Sequence, residues 1–201
     1  MSPEEISEKH LAAFRLAARG RREGAPGNLE EIEWWALGQH FGLATPLLDW
    51  AHSPYVASYF AFADDGTSRQ SKYRAVYGLD IELVEHQNNE LANGFSQETG
   101  RPPTVQVTDS LSNENPRIVS QGGLFTRAPI GIPIEQWVAQ WFEGCLDPVL
   151  IKILIPNEDR IQCLRGLDRM NINHASLFPD LAGASRATNM KLELYPEMSR
   201  S

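Results

Sequence analysis

Several residues capable of hydrogen bonding or acid–base chemistry lie close together in one short segment of the chain. From residue 39 to residue 63 the sequence reads QHFGLATPLLDWAHSPYVASYFAFA, in which polar side chains interrupt an apolar stretch. Gln39, His40, Thr45 and Asp49 lie in its first half. His40 could contact a ligand or act in catalysis, or it could be a hydrogen-bonded structural residue. Asp49 could orient a ligand, or it could cap a turn.

A predicted helix start follows Asp49 and adds a second chemical feature to this segment. Ser53 and Pro54 are typical of a helix N-terminus, whose unpaired N–H groups and positive dipole end favour an anionic or amide ligand. Tyr55 and Tyr59 are one turn apart and could form an aromatic wall beside it. The simpler interpretation is that Ser53 is only an N-cap and that both tyrosines pack in a core or an interface. The sequence leaves both interpretations open.

Common catalytic and metal-binding motifs are missing from the sequence. It contains no Gly-rich phosphate loop with Lys, no G-x-G-x-x-G after a strand and no G-x-S-x-G elbow. The five histidines include no pair at i,i+4 spacing with a carboxylate between them, and Cys145 and Cys163 lack the paired spacing of a zinc site. We therefore expect no bound metal.

Composition and charge restrict the classes of partner. The chain has 201 residues, a formal net charge of -8 and a sequence pI of about 5.1. Nucleic-acid binding usually requires a basic patch, so we expect no direct nucleic-acid surface. We find neither a signal-peptide pattern nor an apolar run of the ~20 residues that a membrane span requires, and we expect a cytoplasmic protein with reduced thiols.

Periodicity and capping signals predict an α+β fold, a single domain in which helices flank a mixed or split β-sheet. The capping box of Ser2 and Glu5 opens the first helix, and Asn28 with Glu31 opens a second that runs to Gly42. A further helix follows Ser53. The remaining predictions are a half-buried strand at 77–83, an irregular stretch at 86–117 with one brief strand at 104–107, a helix at 134–142, a strand covered on both faces at 149–155, a helix capped by Asn157 and running to 167, and a last helix or strand pair at 177–194.

Three segments in order resemble the motifs of the FRG domain, a bacterial and largely uncharacterised family. The segment at 39–63 resembles the family's Q-H-x-G-L-P-T-R-L-L-D-W-T-x-S-P followed by an A-x-x-F-A helix. The stretch RIVSQGGLFT at 117–126 resembles R-x-x-x-Q-x-G-x-F-T, and LFPDLAG at 177–183 resembles L-F-P-D-L-x-G. The resemblance predicts an N-terminal helix and loop at 1–27, an FRG domain at 28–196 and a tail at 197–201.

The chain departs from the family pattern at several positions. Ala44 and Pro46 stand where the family has Pro and Arg, and Ala51 stands where it has Thr. A guanidinium and a hydroxyl are therefore missing from the expected site, which predicts weakened activity. The aromatic-Arg-Gly element of the family is also not found upstream. Either the chain is a shortened member or its start lies downstream of the true one.

The family's motif order is similar to that of ADP-ribosyltransferases, and this likeness implies a role for each candidate residue. His40, Asp49 and Gln121 are then the catalytic candidates, with Gln121 in the position of a catalytic glutamate. The expected ligand-binding residues are Gln39, Thr45, Ser53, Tyr55, Tyr59, Arg117 and Phe125. An uncharged Gln121 stabilises an oxocarbenium-like transition state poorly, because it offers a hydrogen bond but no charge.

Two hypotheses from different classes follow from the resemblance. One is an ADP-ribosyltransferase-like effector that binds NAD and acts on a protein acceptor, in the toxin or phage-defence setting where the family often occurs, with an antitoxin-like partner. The other is a non-catalytic module that binds a ligand or a partner on the same fold. The retained His40, Asp49 and Arg117 favour the first hypothesis, whereas Gln121 and Pro46 favour the second.

Overall fold

The computed structural model describes residues 1–21, 29–63, 71–94, 102–109 and 120–197. Its elements along the chain are α1 (Pro3–Ala17), α2 (Glu31–His40), β1 (Leu48–Ala51), α3 (Pro54–Ala63), β2 (Tyr73–Leu79), α4 (Ile81–Gly94), β3 (Gln106–Asp109), β4 (Gly123–Arg127), α5 (Ile134–Trp141), β5 (Leu150–Pro156), α6 (Arg160–Arg169), α7 (His174–Leu177) and α8 (Leu181–Leu194). Helices and small antiparallel sheets are interleaved, which confirms the predicted α+β class.

The chain divides into two compact units, each built from separated segments. The first unit contains Met1–Asp49, Asp80–Ser110 and Leu124–Val149. The second contains Trp50–Leu79, Leu111–Gly123 and Leu150–Ser201. The described strands form a three-stranded sheet in the order β1–β4–β3 and a two-stranded sheet of β2 and β5. β3 and β4 are antiparallel, as are β2 and β5.

Capping residues determine where the first three helices begin. The Ser2 hydroxyl accepts a hydrogen bond from the Glu5 backbone N–H, and the Ser2 backbone N–H donates to the Glu5 carboxylate. The predicted capping box of α1 is therefore confirmed. Ser53 accepts from the Val56 backbone, which confirms the predicted start of α3. The predicted cap of α2, Asn28, lies outside the described residues. The N-cap of α2 is Glu30, whose backbone N–H bonds to the Glu33 carboxylate, so the helix begins later than predicted.

The strand predicted at 77–83 was wrong in its second half. β2 ends at Leu79, and α4 begins at Ile81. Asp80 starts this helix, because its carboxylate accepts from the Leu83 backbone N–H at 3.0 Å and its carbonyl accepts from Val84. Apolar residues continue to alternate past Asp80, but the cap formed by Asp80 starts a helix there and ends the strand.

The region from 86 to 117 is more regular than predicted where the structure describes it. α4 continues to Gly94, so residues 86–94 are helical rather than irregular. The brief strand predicted at 104–107 is present as β3, two residues later in the chain. The helix predicted at 134–142 is confirmed as α5, and the C-terminal element predicted at 177–194 is helical.

The strand predicted at 149–155 exists, but the prediction that it is covered on both faces was wrong. In β5, Ile151 is 42% exposed, Ile153 48% and Leu154 55%. Within the described residues β5 pairs with β2 alone, so no second strand covers its other edge. The predicted cap at Asn157 was also wrong, since its side chain accepts instead from Arg74 Nε at 2.9 Å, and α6 begins at Arg160.

Both units contain fully buried apolar side chains. In the first unit Trp35, Val105 and Trp137 are fully buried, and the Trp137 indole donates to the Pro103 carbonyl at 2.6 Å. In the second unit the core joins α3, α6, α7 and α8 through Val56, Tyr59, Phe62, Ala63, Leu164, Leu167, Leu177 and Leu194. None of the described helices is long and apolar enough to cross a membrane.

Candidate functional site

Two contacts within the first unit hold the loop between α2 and β1. Gly38 in α2 leaves room for this loop, because a Cβ there would lie 2.6 Å from Leu43 Cδ2. The Leu43 backbone N–H donates to the Gly38 carbonyl at 2.9 Å. His10 of α1 reaches the Ala44 carbonyl with Nε2 at 3.1 Å. Since a carbonyl oxygen only accepts, Nε2 of His10 carries the proton in this contact.

The held loop places three of the predicted site residues in one hydrogen-bonded cluster. The Thr45 hydroxyl donates to the side-chain carbonyl oxygen of Gln39 and accepts from the Leu47 backbone N–H. Gln39 also hydrogen-bonds to the Asp49 carboxyl group. Because its carbonyl oxygen is bound to Thr45, the Gln39 amide nitrogen is the group that can donate to Asp49. Thr45 therefore fixes the orientation of Gln39, and Gln39 fixes that of Asp49.

Asp49 combines solvent access with a perturbed acidity. Its side chain is exposed, yet the protein around the carboxyl group raises its pKa above the ordinary value of 3.8 through desolvation. The hydrogen bond from Gln39 opposes this effect without cancelling it. A carboxyl group that is held in one orientation and remains open to solvent is suited to accept hydrogen bonds from a ligand.

The remaining site candidates of the first unit have different surroundings. His40 is the last residue of α2, and its ring lies edge-on to the exposed Phe41 ring with centroids 4.7 Å apart. Phe125 is only 6% exposed and lies in β4 opposite Thr108. Its ring is therefore buried and has little access to a ligand from solvent. The candidate Arg117 lies outside the described residues.

In the second unit the α3 candidates divide into exposed and buried residues. Ser53 acts as the helix cap described above. Tyr55 is 55% exposed, whereas Tyr59, one turn later, is 1% exposed. Of the two tyrosines, Tyr55 alone is accessible to a ligand from solvent.

Tyr59 belongs to a buried polar and aromatic cluster that the sequence did not reveal. Its hydroxyl lies 3.0 Å from His174 Nδ1 and 3.9 Å from Met190 Sδ. The ring of Phe178 stacks on His174 with centroids 4.1 Å apart. Burial raises the pKa of the Tyr59 hydroxyl to about 12. The sequence gives no signal for the partnership with His174, because 115 residues separate the two.

Gln121, the third catalytic candidate, makes a structural contact within the second unit. Its side-chain amide donates to the Leu177 carbonyl at 3.1 Å. The next residue, Gly122, has a φ of +56° and accepts from the His52 backbone N–H at 3.1 Å. Gln121 and Gly122, from the motif at 117–126, thus connect their segment to Leu177 and to His52 in the same unit.

Among the described residues, no group of three or more His, Cys, Asp or Glu side chains could hold a metal ion. Four of the site candidates lie in clusters: Gln39, Thr45 and Asp49 are hydrogen-bonded in the first unit, and Tyr59 belongs to a buried cluster in the second.

The fold and these clusters define an α+β protein with a fixed, solvent-accessible carboxyl group. The family model of the FRG domain matches residues 2–70, which are 69 of 201 residues, or about a third of the chain. This match contains the cluster of Gln39, Thr45 and Asp49 and supports the FRG family. The other two resembling segments lie outside it. No curated protein and no solved structure matches the chain.

Proposed function

We propose that this chain is an FRG-domain binding module that uses the Asp49 carboxylate to accept hydrogen bonds from a ligand. The observation that carries the proposal is the cluster in which Thr45 orients Gln39 and Gln39 orients Asp49. Hydrogen bonds that hold a carboxylate in its binding orientation before the ligand arrives lower the conformational entropy lost on binding.

The chemistry of Asp49 indicates the class of ligand. A carboxylate is an acceptor only, so its partner must present hydroxyl, amide or other N–H donors. The vicinal hydroxyls of a ribose and the amide of nicotinamide both meet this requirement. NAD, which the family resemblance suggests, is therefore the first ligand to test.

The binding module is favoured over the transferase by the contact of Gln121. ADP-ribosyl transfer breaks the bond between ribose and nicotinamide and builds positive charge on the ribose, which a carboxylate stabilises better than an amide. Gln121 carries no charge, and its amide already donates to the Leu177 carbonyl. ADP-ribosyl transfer remains the second candidate function, because Asp49 supplies one carboxylate that could perform this stabilisation.

Calorimetric titration with NAD tests the proposal. The wild-type chain should bind NAD with saturation, and Asp49→Asn should weaken binding by roughly 10- to 100-fold, since hydrogen bonds to charged groups contribute about 1.5–3 kcal/mol. Asp147→Asn is the matched control, because it removes the same charge from an exposed acid in the segment after α5. Equal binding by wild type and Asp49→Asn would remove Asp49 from the site.

Separate titrations and a labelling experiment distinguish the two functions. ADP-ribose and nicotinamide, titrated one at a time, identify which half of NAD faces Asp49. Incubation with NAD labelled on the adenylate then tests transfer. Binding without label on any protein supports the module, whereas label that appears with wild type and not with Asp49→Asn supports the transferase. No binding of NAD or its halves contradicts NAD as the ligand.

A further inference from the structure

The outer edge of β5 is apolar and accessible. β5 pairs with β2 in the register that places Val76 opposite Ile153. In the described part of the chain nothing pairs with its other edge. Ile151, Ile153 and Leu154 are 42%, 48% and 55% exposed, and an apolar strand edge of this kind readily pairs with another strand.

The hydrogen bond that follows β5 shows which of its backbone groups face this edge. The Asn157 N–H donates to the Lys72 carbonyl at 2.9 Å, in the same register as the β2–β5 pairs. Because direction alternates along an antiparallel strand, Ile151, Ile153 and Ile155 also direct their backbone groups toward β2. The even-numbered residues between Leu150 and Pro156 therefore direct theirs outward.

The outward-facing positions contain the features that decide how the edge can pair. Pro156 lacks an N–H, and proline is confined to such edge positions. Lys152 carries the single charge in β5, and its ammonium lies 5.4 Å from the centre of the Tyr77 ring on β2. Lys152 thus extends back over the sheet, so its charge does not shield the outer edge.

We propose that the outer edge of β5 pairs antiparallel with the same edge of a second copy of this chain. Of the symmetric registers that bring these outward groups together, three are centred on the middle residues of β5. Centring on Lys152 places two ammonium groups opposite each other, and centring on Leu154 places Pro156 opposite Lys152 and leaves four hydrogen bonds. Centring on Ile153 places each Lys152 opposite Leu154 of the other copy and allows six hydrogen bonds.

The register centred on Ile153 joins the two-stranded sheets into one sheet in the order β2–β5–β5–β2. It brings Ile151, Ile153 and Leu154 of both copies to the joined edge and places no like charges directly opposite each other. The paired surface is one short strand, well below the ~800 Å² per partner of a standard interface. The dimer is therefore weak, at the low end of specific protein interfaces.

Sedimentation velocity over a concentration series of the full chain tests this pairing. Wild type should change from monomer to dimer as concentration rises. Leu154→Lys should weaken dimerisation at least tenfold, because the new lysine of each copy then lies opposite Lys152 of the other copy. Leu192→Lys is the matched control, since Leu192 on α8 is 54% exposed and lies outside the strand. Adding Lys152→Glu to Leu154→Lys should restore the dimer, because each lysine then faces a glutamate.

Amide hydrogen exchange adds a readout at the level of single residues. The outward N–H groups of Lys152 and Leu154 should become protected only at concentrations where the dimer forms, while those of Ile151 and Ile153 are protected throughout. A monomer at all concentrations overturns the proposal and leaves the edge to a strand of another protein. A dimer unaffected by Leu154→Lys, in a variant that melts like wild type, also overturns it.

Discussion

The hydroxyl of Tyr59 lies 3.0 Å from Nδ1 of His174, and both side chains are buried. This hydrogen bond joins α3 to the short helix α7 across the core of the second unit. A buried polar pair of this kind contributes to stability as long as both partners remain, because each satisfies the other away from water.

Tyr59→Phe should destabilise the protein by about 1–3 kcal/mol. The substitution keeps the ring but removes the hydroxyl partner of a buried imidazole nitrogen. Chemical denaturation at pH 7 measures the change. Tyr55→Phe is the control and should have little effect, since Tyr55 is 55% exposed.

The same pair predicts how stability depends on pH. The folded-state pKa of Tyr59 is raised from 10.0 to about 12, so its contribution is complete below pH 10 and is lost as pH rises through 12. Over that interval wild type should lose roughly 2–3 kcal/mol more stability than Tyr59→Phe. Parallel curves for the two proteins would contradict the assignment.

Gly183→Ala should be strongly destabilising, by several kcal/mol. A Cβ at this position would lie 2.0 Å from the Phe178 carbonyl oxygen, so α8 and the segment before it would have to separate. Gly166→Ala in α6 is the matched control, since an added Cβ there meets nothing within 4 Å. It should raise stability by about 0.5–1 kcal/mol through helix propensity. Equal melting temperatures for the two variants would argue against this packing.

Ligand binding that depends on Asp49 should weaken on acidification at a pH above the ordinary carboxyl pKa of 3.8. Desolvation raises the pKa of Asp49, and protonation removes the negative charge that accepts the ligand's hydrogen bonds. Calorimetry with NAD across the acidic range measures this loss.

The raised pKa of Asp49 also predicts that function and stability separate at this residue. The contribution of a raised pKa to stability is complete below the ordinary value and is lost as pH rises through the folded-state pKa. At pH 7, Asp49→Asn should therefore leave the melting temperature unchanged or slightly higher while it weakens binding. A large fall in melting temperature would mean that Asp49 is structural.

Glu31→Gln should lower stability at neutral pH, and its effect should shrink as pH falls below the ordinary carboxyl pKa of 4.5. Arg127 donates to the Glu31 carboxylate at 2.6 Å, and this hydrogen bond lowers the pKa of Glu31 below its ordinary value of 4.5. A lowered pKa stabilises the fold above that value, and the contribution is lost on acidification. Since the Glu31 side chain is 51% exposed, the loss should stay below about 1 kcal/mol. Glu135→Gln, an exposed acid in the first turn of α5, is the control.

Local chemistry allowed much of the secondary structure to be predicted from the sequence. Ser2 with Glu5 and Ser53 with Pro54 fix helix starts through contacts within one turn, and both predictions are confirmed. The segment that contains Gln39, Thr45 and Asp49 could also be selected as a site, because its residues are near in sequence. Their mutual hydrogen bonds required the loop geometry imposed by Gly38.

The sequence by itself determined the α+β class, the caps of α1 and α3, and the segment around Asp49, because each depends on residues a few positions apart. The tertiary structure alone decided that Tyr59 pairs with His174, that Gln121 binds the Leu177 carbonyl, and that β5 pairs with β2 alone among the described residues. An apolar run such as VLIKILI has the same pattern whether a sheet covers it or not. Which partners reach a residue depends on distant segments that local propensity does not encode.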